Sequence, residues 1–547
     1  MLNEADKQKL IELIKNGEDI PAEFKDKLFP AKGNDCELCY TDKMSRSDIL
    51  SGENGFSDFK IKEYAAFSDG DKNDDGWRNM IVFGDNLAFL KTVYDNKDPL
   101  IKDKIKGKVK LIYIDPPFST FDDFQNKNGA FAYADRKKGA EFVEYLRRRL
   151  IVARQVLADD GTIYLHIDSK MGHYVKVIMD EIFPSFEFAE IIWLCGLMGS
   201  GDFFPKAHET IYCYRGKGAY FAPQNRLGLS KRITGALSRD ENGWFYTRGR
   251  ETSGGTSFLK TYICNDPAMT KDEAIKFANA SRKQPVWSVW IGKNEIAREY
   301  NDFPVGTYAY TKKDSTGYPT QKPEQLLKRI ILSSTRENDI VMDFFGGSGT
   351  TAAVAEKLSR RWISCDIGKL SLLTVCKRIL SISSSRDLTN RLADYKNPPK
   401  SFSVFGFTGG QNEKIEETQS DFSKDDRLSH NYTPDVTVRP VCEDNVFSLV
   451  IEKFISNEPA SKTSIKRNKK RGEGASVDAP AAVFVDTGYD NEHINITHAF
   501  FKDDLKITNG LPVIKLDKNV VGRRVAIICV DIFGNAFSES FELLKSE

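Results

Sequence analysis

The residues best suited to chemistry follow the apolar run VKLIYI (109–114), which predicts a buried strand. Asp115, Pro116, Pro117 and Phe118 come directly after it, where open α/β sheets bind ligands. Because proline has no amide proton, this turn offers acceptors, the Asp115 carboxylate and the Pro116 carbonyl. Two such acceptors could hold both hydrogens of an exocyclic amino group and direct its nitrogen lone pair toward an electrophilic methyl group. Phe118 would stack an extruded base; the alternative is a rigid turn that ends in a core aromatic.

A second motif, IVMDFFGGSGTTAAVAEKL (340–358), contains a glycine-rich turn. A predicted strand ends at Asp343, the chain turns through Gly346, Gly347 and Gly349, and a predicted helix follows. The glycines would bring unshielded backbone amides close to a ligand at the start of a helix, which favours a nucleotide-like cofactor. We therefore expect a cofactor site at the carboxyl end of this strand, and we expect any Cβ placed at Gly347, as in Gly347→Val, to crowd it.

Several kinds of site compete for this turn. A phosphate-binding loop of the GxxxxGK[ST] type is excluded because Thr350 follows Gly349 without the required lysine. A dinucleotide site stays open, since residues 347–352 satisfy GxGxxA and Asp366 ends the next predicted strand. An S-adenosylmethionine site uses the same elements, with Asp343 accepting from the ammonium group and Asp366 from the ribose hydroxyls. A turn that only connects strand to helix is the remaining alternative.

Together the two motifs resemble those of the DNA amino-methyltransferases, which carry [DNS]PP[YFW], here residues 115–118, and FxGxG, here 345–349. The order of catalytic motif, basic module and cofactor motif resembles the β-ordered group, which includes the modification (Mod) subunits of type III restriction systems. The resemblance covers about residues 78–385. Supporting matches are GDN (84–86), HETIYCY (208–214) and YPTQKPEQLLKRI (318–330).

The resemblance implies a site-specific DNA methyltransferase of a restriction-modification system, with S-adenosyl-L-methionine as cofactor. The DPP form of the first motif is associated with adenine N6 as the target. Cytosine N4 is the nearest alternative, and a catalytically silent DNA-binding subunit is a more distant one. Cytosine C5 is disfavoured because the chain has no Pro-Cys dipeptide. The resemblance assigns catalysis to Asp115, Pro116, Pro117 and Phe118, and cofactor binding to Asp343, Phe345, Gly347, Gly349 and Asp366, with Thr320 and Lys322 beside the methionine end.

Two residues depart from the family pattern. Phe118 stands where tyrosine is commoner but keeps a stacking face, whereas Phe121 stands where similar sequences often have glycine. The shape of the loop over the base therefore stays open. The resemblance also implies double-stranded DNA as a partner, a homodimer, and a restriction subunit whose existence the sequence leaves open.

Composition and charge favour a cytoplasmic protein without a membrane span. The chain has 547 residues, 79 Lys+Arg against 78 Asp+Glu, and no apolar stretch long enough to cross a bilayer. Its N-terminus mixes acidic and basic residues without an apolar run, unlike a signal peptide. Nine cysteines without framework spacing suit a reducing compartment. The CELC segment (36–39) is a lone CxxC without a second pair, so no metal site is expected.

The elements that must position both motifs alternate between strands and helices. Predicted strands separated by helical patterns indicate βαβ units around a mostly parallel sheet. We predict an α/β, Rossmann-like methyltransferase fold with a mixed sheet, an inserted target-recognition module and a β-rich C-terminal unit. The predicted strands of the sheet are 80–83, 109–114, 162–167, 188–193, 209–214, 339–343 and 362–366.

The alternation breaks between about 216 and 305, in a segment rich in Gly, Ser, Arg and aromatics. From Arg215 to Arg298 it has 15 Lys/Arg and 7 Asp/Glu, a local net charge of +8 that suits contact with phosphates. We expect sequence recognition there. The predicted divisions are an N-terminal appendage (1–58), the catalytic half (59–215), the target-recognition module (216–305), the cofactor half (306–400) and a C-terminal accessory region (401–547).

Overall fold

The fold is described from a computed structural model. Among the residues it describes, no helix combines the length and apolar character needed to cross a membrane. Phe121 and the charged segment 464–478 lie outside the described residues. The structure describes residues 4–17, 24, 37–51, 60–67, 76–118, 123–125, 131–134, 139–198, 206–222, 225–226, 235–252, 255–281, 284–285, 289–291, 315–390, 393–408, 433–443, 445–456 and 479–543.

The described elements are numbered in chain order, helices and strands separately. The helices are α1 (Glu4–Asn16), α2 (Arg46–Leu50), α3 (Asn86–Asp95), α4 (Gly139–Val156), α5 (Gly172–Ile182), α6 (Lys271–Ser281), α7 (Glu324–Ser334), α8 (Thr350–Lys357) and α9 (Lys369–Leu380). The strands are β1 (Lys60–Phe67), β2 (Asn79–Phe83), β3 (Val109–Ile114), β4 (Asp123–Gln125), β5 (Phe131–Ala134), β6 (Leu157–Ile167), β7 (Glu187–Met198), β8 (Lys206–Arg215), β9 (Asn225–Arg226), β10 (Ser238–Asp240), β11 (Gly243–Thr252), β12 (Gly255–Cys264), β13 (Gln284–Pro285), β14 (Val289–Ile291), β15 (Ile340–Asp343), β16 (Arg361–Asp366), β17 (Phe402–Thr408), β18 (Asp435–Glu443), β19 (Val446–Ile455), β20 (Ala482–Asp486), β21 (Asn495–Ile496), β22 (His498–Phe501), β23 (Lys506–Thr508), β24 (Leu511–Asp517), β25 (Arg524–Val530) and β26 (Ala536–Glu542).

The main sheet has the strand order β14-β7-β8-β6-β3-β15-β16-β2-β17-β1-β21. Its centre, from β6 through β3, β15, β16 and β2 to β17, is parallel. β8 runs antiparallel to both β6 and β7, and β1 runs antiparallel to β17. The predicted α/β fold with a mixed sheet is therefore confirmed, as are the seven predicted strands, all of which belong to this sheet.

Helices cover both faces of the parallel centre, which is why its strands are continuous apolar runs. In β3, Ile112 and Ile114 pack into one core with α3, α4 and α5. Leu111 and Tyr113 point to the other face and pack with α7, α8 and α9. Successive side chains of β3 thus enter the two apolar cores on opposite faces of the sheet. Asp115, the residue after β3, lies where the strand leaves these cores.

Two smaller units flank the main sheet. In the predicted target-recognition module, β10, β11 and β12 form an antiparallel sheet, and α6 packs on it through Ala274 and Ala278. The C-terminal region first adds β17 to the main sheet, beside β2 and β1. Its later strands form two four-stranded sheets, β18-β19-β24-β23 and β22-β20-β25-β26, which enclose a shared apolar core and are called the C-terminal sandwich below.

Candidate active site

Four parallel strands bring four acidic residues to one edge of the main sheet. Asp115 follows β3, Asp343 ends β15, Asp366 ends β16, and Asp85 lies just beyond β2. The carboxyl ends of neighbouring parallel strands meet at the same edge, so residues far apart in sequence become neighbours. From β3 the chain continues to β6 on one side, whereas from β15 it continues to β16 on the other, so the carboxyl ends of β3 and β15 form a topological switch point.

Both sequence motifs line one cavity of about 320 Å³ at this edge. Asp115, Pro116, Pro117 and Phe118 form part of its wall. The predicted cofactor residues also line it, except for Gly349, which lies behind the wall at the start of α8. The predicted cofactor residues in the wall are Asp343, Phe345, Gly347, Asp366, Thr320 and Lys322.

The Asp115 carboxylate is held on one side only. Its Oδ2 lies 2.7 Å from the Lys322 ammonium nitrogen. Its Oδ1 is buried and accepts no hydrogen bond from the described residues. A buried carboxylate oxygen without a donor is costly, so the arrangement suits a ligand that supplies an N–H group. The Lys322 Nζ also lies 5.2 Å from the centre of the Phe118 ring, which links the charge and the aromatic face of the turn.

A line of buried polar groups continues behind Lys322. Its Nζ lies 3.7 Å from Glu209 Oε2, and that oxygen lies 2.8 Å from His166 Nε2. The other imidazole nitrogen of His166 is 3.0 Å from the Tyr113 hydroxyl. Glu209 reaches this edge because β8 is antiparallel to β6, so the start of β8 pairs with the end of β6. Lys322, which was predicted to lie beside the cofactor, is therefore also a neighbour of Asp115, the predicted catalytic carboxylate.

Asp343 is fully enclosed at the base of the cavity. Its Oδ1 accepts from the Phe345 amide at 3.0 Å and its Oδ2 from the Thr351 hydroxyl at 2.6 Å. Burial raises the pKa of Asp343 to about 7, and the nearby Asp115 and Asp366 charges act in the same direction, while both hydrogen bonds oppose them. A cation placed beside this carboxylate would favour its ionised form.

The glycines of the turn are required for different reasons. At Gly346 a Cβ would lie 2.3 Å from Ser364 Oγ, and at Gly349 it would lie 2.9 Å from Val375 Cγ2. A Cβ on Gly347 would meet nothing closer than 3.5 Å, so the crowding expected there is absent. Gly347 has φ +47°, however, a conformation that a β-branched residue avoids. Its open side faces the cavity, where a ligand could lie against the backbone.

Asp366 shapes the same turn. Its Oδ2 accepts from the Gly347 amide and its Oδ1 from the Gly368 amide, both at 2.8 Å. Burial raises the pKa of Asp366, and these amide hydrogen bonds oppose that effect. Each carboxylate oxygen has a further lone pair, so the side chain can order the loop and still accept from a hydroxyl group in the cavity.

Several cavity residues had no role assigned from the sequence. Arg149 Nη2 donates to Asp85 Oδ2 at 2.9 Å and its guanidinium lies 3.5 Å from the centre of the Tyr145 ring. Asn86 donates to the Phe344 carbonyl at 2.6 Å and so ties the GDN segment to the cofactor strand. The GDN and HETIYCY segments, which match the family, are the sequence features that point to these residues. The resemblance alone does not show which of their side chains enter the cavity. The unassigned lining residues include Asp85, Asn86, Tyr145, Glu209 and Tyr318.

An open α/β sheet covered on both faces, with a cavity at its switch point, places the protein in the Rossmann-like fold class, which binds nucleotide cofactors at this position. The family model described as DNA methylase (N6_N4_Mtase) matches residues 109–373, which contain both motifs and the strands that carry them. Residues 109–373, just under half of the chain, therefore match the N6/N4 DNA methylase family, as the resemblance implied. The match also confirms S-adenosyl-L-methionine as the cofactor.

The curated relatives include restriction-modification methyltransferases. Type II methyltransferase M.EcaI of Enterobacter cloacae is 29% identical over 341 residues, which cover 55% of this chain and 69% of the relative. The probable HindVI Mod subunit of Haemophilus influenzae is 26% identical, with 53% of this chain and 48% of the relative covered. The StyLTI Mod subunit of Salmonella typhimurium is also 26% identical, with 55% and 54% covered. The chain thus spans about half the length of these Mod subunits.

The solved structures that match the chain include a cytosine-N4-specific DNA methyltransferase. The M1.HpyAVI–SAM complex is 16% identical, with a TM-score of 0.31, and the match covers 55% of this chain and 98% of that one. The cytosine-N4-specific PvuII methyltransferase is 15% identical, with a TM-score of 0.33 and coverage of 58% and 88%. At such TM-scores the family assignment rests on the sequence match to residues 109–373.

Proposed function

We propose that this protein is a site-specific DNA adenine-N6 methyltransferase of a restriction-modification system, which acts on a base flipped out of duplex DNA. The observation that carries the proposal is the buried, unsatisfied Asp115 Oδ1 in the same cavity as the glycine turn of Asp343 and Gly347. An exocyclic amino group supplies the missing donor. The DPP form of the motif favours adenine over cytosine.

In this proposal Asp115 and the Pro116 carbonyl accept the two amino hydrogens, and Phe118 stacks the base. S-adenosyl-L-methionine, when bound, supplies an electrophilic methyl group on a sulfonium. As the amino nitrogen gains positive charge, the Asp115 carboxylate stabilises that charge and favours loss of an amino proton. Lys322, paired with Asp115 Oδ2, leaves Oδ1 for the base.

The cofactor is proposed to lie between the glycine turn and the TQKP segment. Asp343 would accept from its ammonium group, Asp366 from the ribose hydroxyls, and Gly347 would provide the open backbone surface. The Lys322 carbonyl accepts from the Thr350 hydroxyl at 3.1 Å, so the TQKP segment is tied to the helix that follows the turn. The cavity, its acids and the unfilled space over Gly347 fit a cationic nucleoside-like group.

Cofactor affinity is expected to depend on pH through Asp343, whose pKa burial raises to about 7. Since only the ionised carboxylate attracts an ammonium group, the association constant should rise about tenfold per pH unit below pH ~7 and then level off. Calorimetric titration between about pH 5.5 and 7.5 measures this slope. Asp343→Asn should bind weakly without it, and a flat wild-type profile would contradict the role of Asp343.

The identity of the methylated base separates the proposal from its nearest alternative, cytosine-N4 methylation. We expect N6-methyladenine, and no N4-methylcytosine above background, in DNA from a methylation-free host that expresses the protein. Mass spectrometry of digested nucleosides provides the measurement, and modification-sensitive sequencing adds the recognition site. DNA from cells expressing Asp115→Ala is the control. If the product were N4-methylcytosine, the adenine assignment would be wrong, but methyl transfer to an exocyclic amino group would still hold.

Sequence recognition is proposed to lie in the module at about 216–305. One part of it, the β10-β11-β12 sheet with α6, is separate from the main sheet, whereas β14 of the same segment pairs with β7 in the main sheet. The segment is also locally basic. Exchange of this module with that of a related enzyme should move methylation to a new sequence, as read by the same sequencing. Continued methylation of the old sequence would place base recognition elsewhere.

The proposed partners are double-stranded DNA, a second copy of the chain and a restriction subunit. The matches to the HindVI and StyLTI Mod subunits support the last of these. Co-purification with the product of an adjacent nuclease gene would test it.

A further inference from the structure

Helix α9 lies between the glycine turn and the C-terminal sandwich, and it contacts both. It begins at Lys369, three residues after Asp366 at the end of β16. The sandwich has no part in the two sequence motifs, and residues 401–547 carry no assigned role. The contacts of the sandwich with α9 are therefore relevant to the structure of the cofactor site.

One side of α9 fixes the backbone of the glycine turn. The Ser371 hydroxyl donates to the Gly347 carbonyl at 2.7 Å, and Arg378 Nη1 donates to the Ser348 carbonyl at 3.1 Å. Val375 packs so closely on Gly349 that a Cβ there would lie 2.9 Å from Val375 Cγ2. These three α9 residues are four and three positions apart, so they share one face of the helix.

The turn at 531–535 of the C-terminal sandwich docks on the first residue of α9. Asp531 Oδ1 accepts from the Phe533 and Asn535 amides at 2.9 and 2.8 Å, which makes the turn rigid. Lys369 Nζ donates to Asn535 Oδ1 at 2.8 Å. Gly534 has φ +88°, and a Cβ on it would lie 2.7 Å from the Lys369 carbonyl oxygen. The two backbones are thus in contact, and only glycine permits it.

The same turn also reaches the cavity wall. Phe533 packs against a small apolar cluster of Ala132, Tyr318 and Leu370. Tyr318 lines the cavity, and its ring is the first group that a Cβ on Gly347 would meet. Leu370 belongs to α9 itself.

A second contact lies near the end of α9. Lys377 Nζ is 5.2 Å from the centre of the Phe501 ring and 3.8 Å from Asp503 Oδ2. The sandwich therefore contacts α9 at both ends, while Ser371, Val375 and Arg378 contact the glycine turn.

We infer that the C-terminal sandwich is part of the cofactor-binding machinery: its 531–535 turn holds α9 and Tyr318 in the positions that keep the glycine turn ready for its ligand. Phe533 and Gly534 are positioning residues in this role. The inference rests on the proposed function, because the ligand whose affinity they set is S-adenosyl-L-methionine.

The test compares S-adenosyl-L-methionine affinity, by calorimetry on the full chain, in Phe533→Ala, Gly534→Val and the control Phe541→Ala. Phe541 packs in the core of the same sandwich, away from the cavity. We expect the dissociation constant to rise about tenfold in Phe533→Ala and Gly534→Val and less than about twofold in Phe541→Ala. Thermal unfolding of all variants shows how much stability each one loses.

The outcomes separate the inference from the proposed function. Normal affinity in Phe533→Ala would overturn the inference, and so would an equal loss in Phe541→Ala, which would show a general effect of sandwich stability. If Gly534→Val folds, its affinity provides a second test of the same contact. If it does not fold, Phe533→Ala alone decides the inference. If the wild-type protein did not bind S-adenosyl-L-methionine, the proposed function itself would fail.

Discussion

Replacement of Asp115 by alanine should reduce methyl transfer by at least about 10²–10³-fold in single-turnover measurements on methylatable DNA. The variant loses the buried Oδ1 that would accept from the amino group and the charge that would stabilise the amino nitrogen as it becomes positive. It also removes the Asp115 Oδ2 that lies 2.7 Å from Lys322 Nζ. The Lys322 ammonium group then lies where the substrate needs a hydrogen-bond acceptor. Both changes act on the transition state.

Cofactor binding should survive in Asp115→Ala, because the glycine turn and Asp343 make their own contacts with α8, α9 and the adjacent strands. Calorimetric titration of the variant verifies this point. Phe118→Tyr is the matched control in the catalytic turn: it keeps an aromatic face and should retain near-normal rates. Phe118→Ala should not, since a stacked base gains roughly 1–3 kcal/mol from the ring. Near-normal transfer by Asp115→Ala would remove the basis of the proposed mechanism.

Replacement of Asp343 by alanine should abolish measurable S-adenosyl-L-methionine binding. The carboxylate is the enclosed acid at the end of β15, and it also accepts from Phe345 N and Thr351 Oγ1 at the start of the turn and of α8. Loss of the carboxylate therefore has two effects: it removes the partner of the ammonium group, and it removes two hydrogen bonds that hold the glycine turn. We expect affinity to fall by more than about 100-fold, the loss of a buried charged hydrogen bond.

Asp343→Asn separates the charge of Asp343 from its structural role. Because burial raises the pKa of Asp343 from 3.8 to about 7, the folded protein loses stability as the pH rises between these values and bears the full cost of the buried charge above pH ~7. The neutral amide avoids this cost, so at pH ~8 the variant should unfold at a temperature no lower than the wild type. Its cofactor affinity should nevertheless fall strongly. Wild-type affinity in Asp343→Asn would show that the charge has no part in binding.

Gly347→Val was expected from the sequence to fail by crowding, and the structure changes that reason. A Cβ at this position has room, but φ +47° strains a valine backbone. Crowding applies instead at Gly346 and Gly349, where a Cβ would meet Ser364 and Val375. Sequence spacing showed that the turn needs glycines, whereas only the coordinates show what each glycine avoids.

The sequence by itself was enough to predict the two motifs of the site and seven of the eleven strands of the main sheet. The DPPF and FxGxG motifs are local, because a strand end, a stiff turn and a helix start are set by adjacent residues. The strands around them could be predicted because parallel strands buried on both faces are continuous apolar runs, as in 109–114 and 340–343. The resemblance that these motifs carry is confirmed by the family match to residues 109–373.

Only the tertiary structure decided which distant residues complete the site. Lys322 meets Asp115 across 207 positions of chain because α7 and β15 bring the TQKP segment back beside β3. Glu209 reaches the same edge because β8 runs antiparallel to β6. The direction of a strand cannot be predicted from a run of apolar residues. The docking of the C-terminal sandwich on α9 depends on a close approach at Gly534. Periodicity and spacing describe local structure, whereas these contacts follow from strand order and packing.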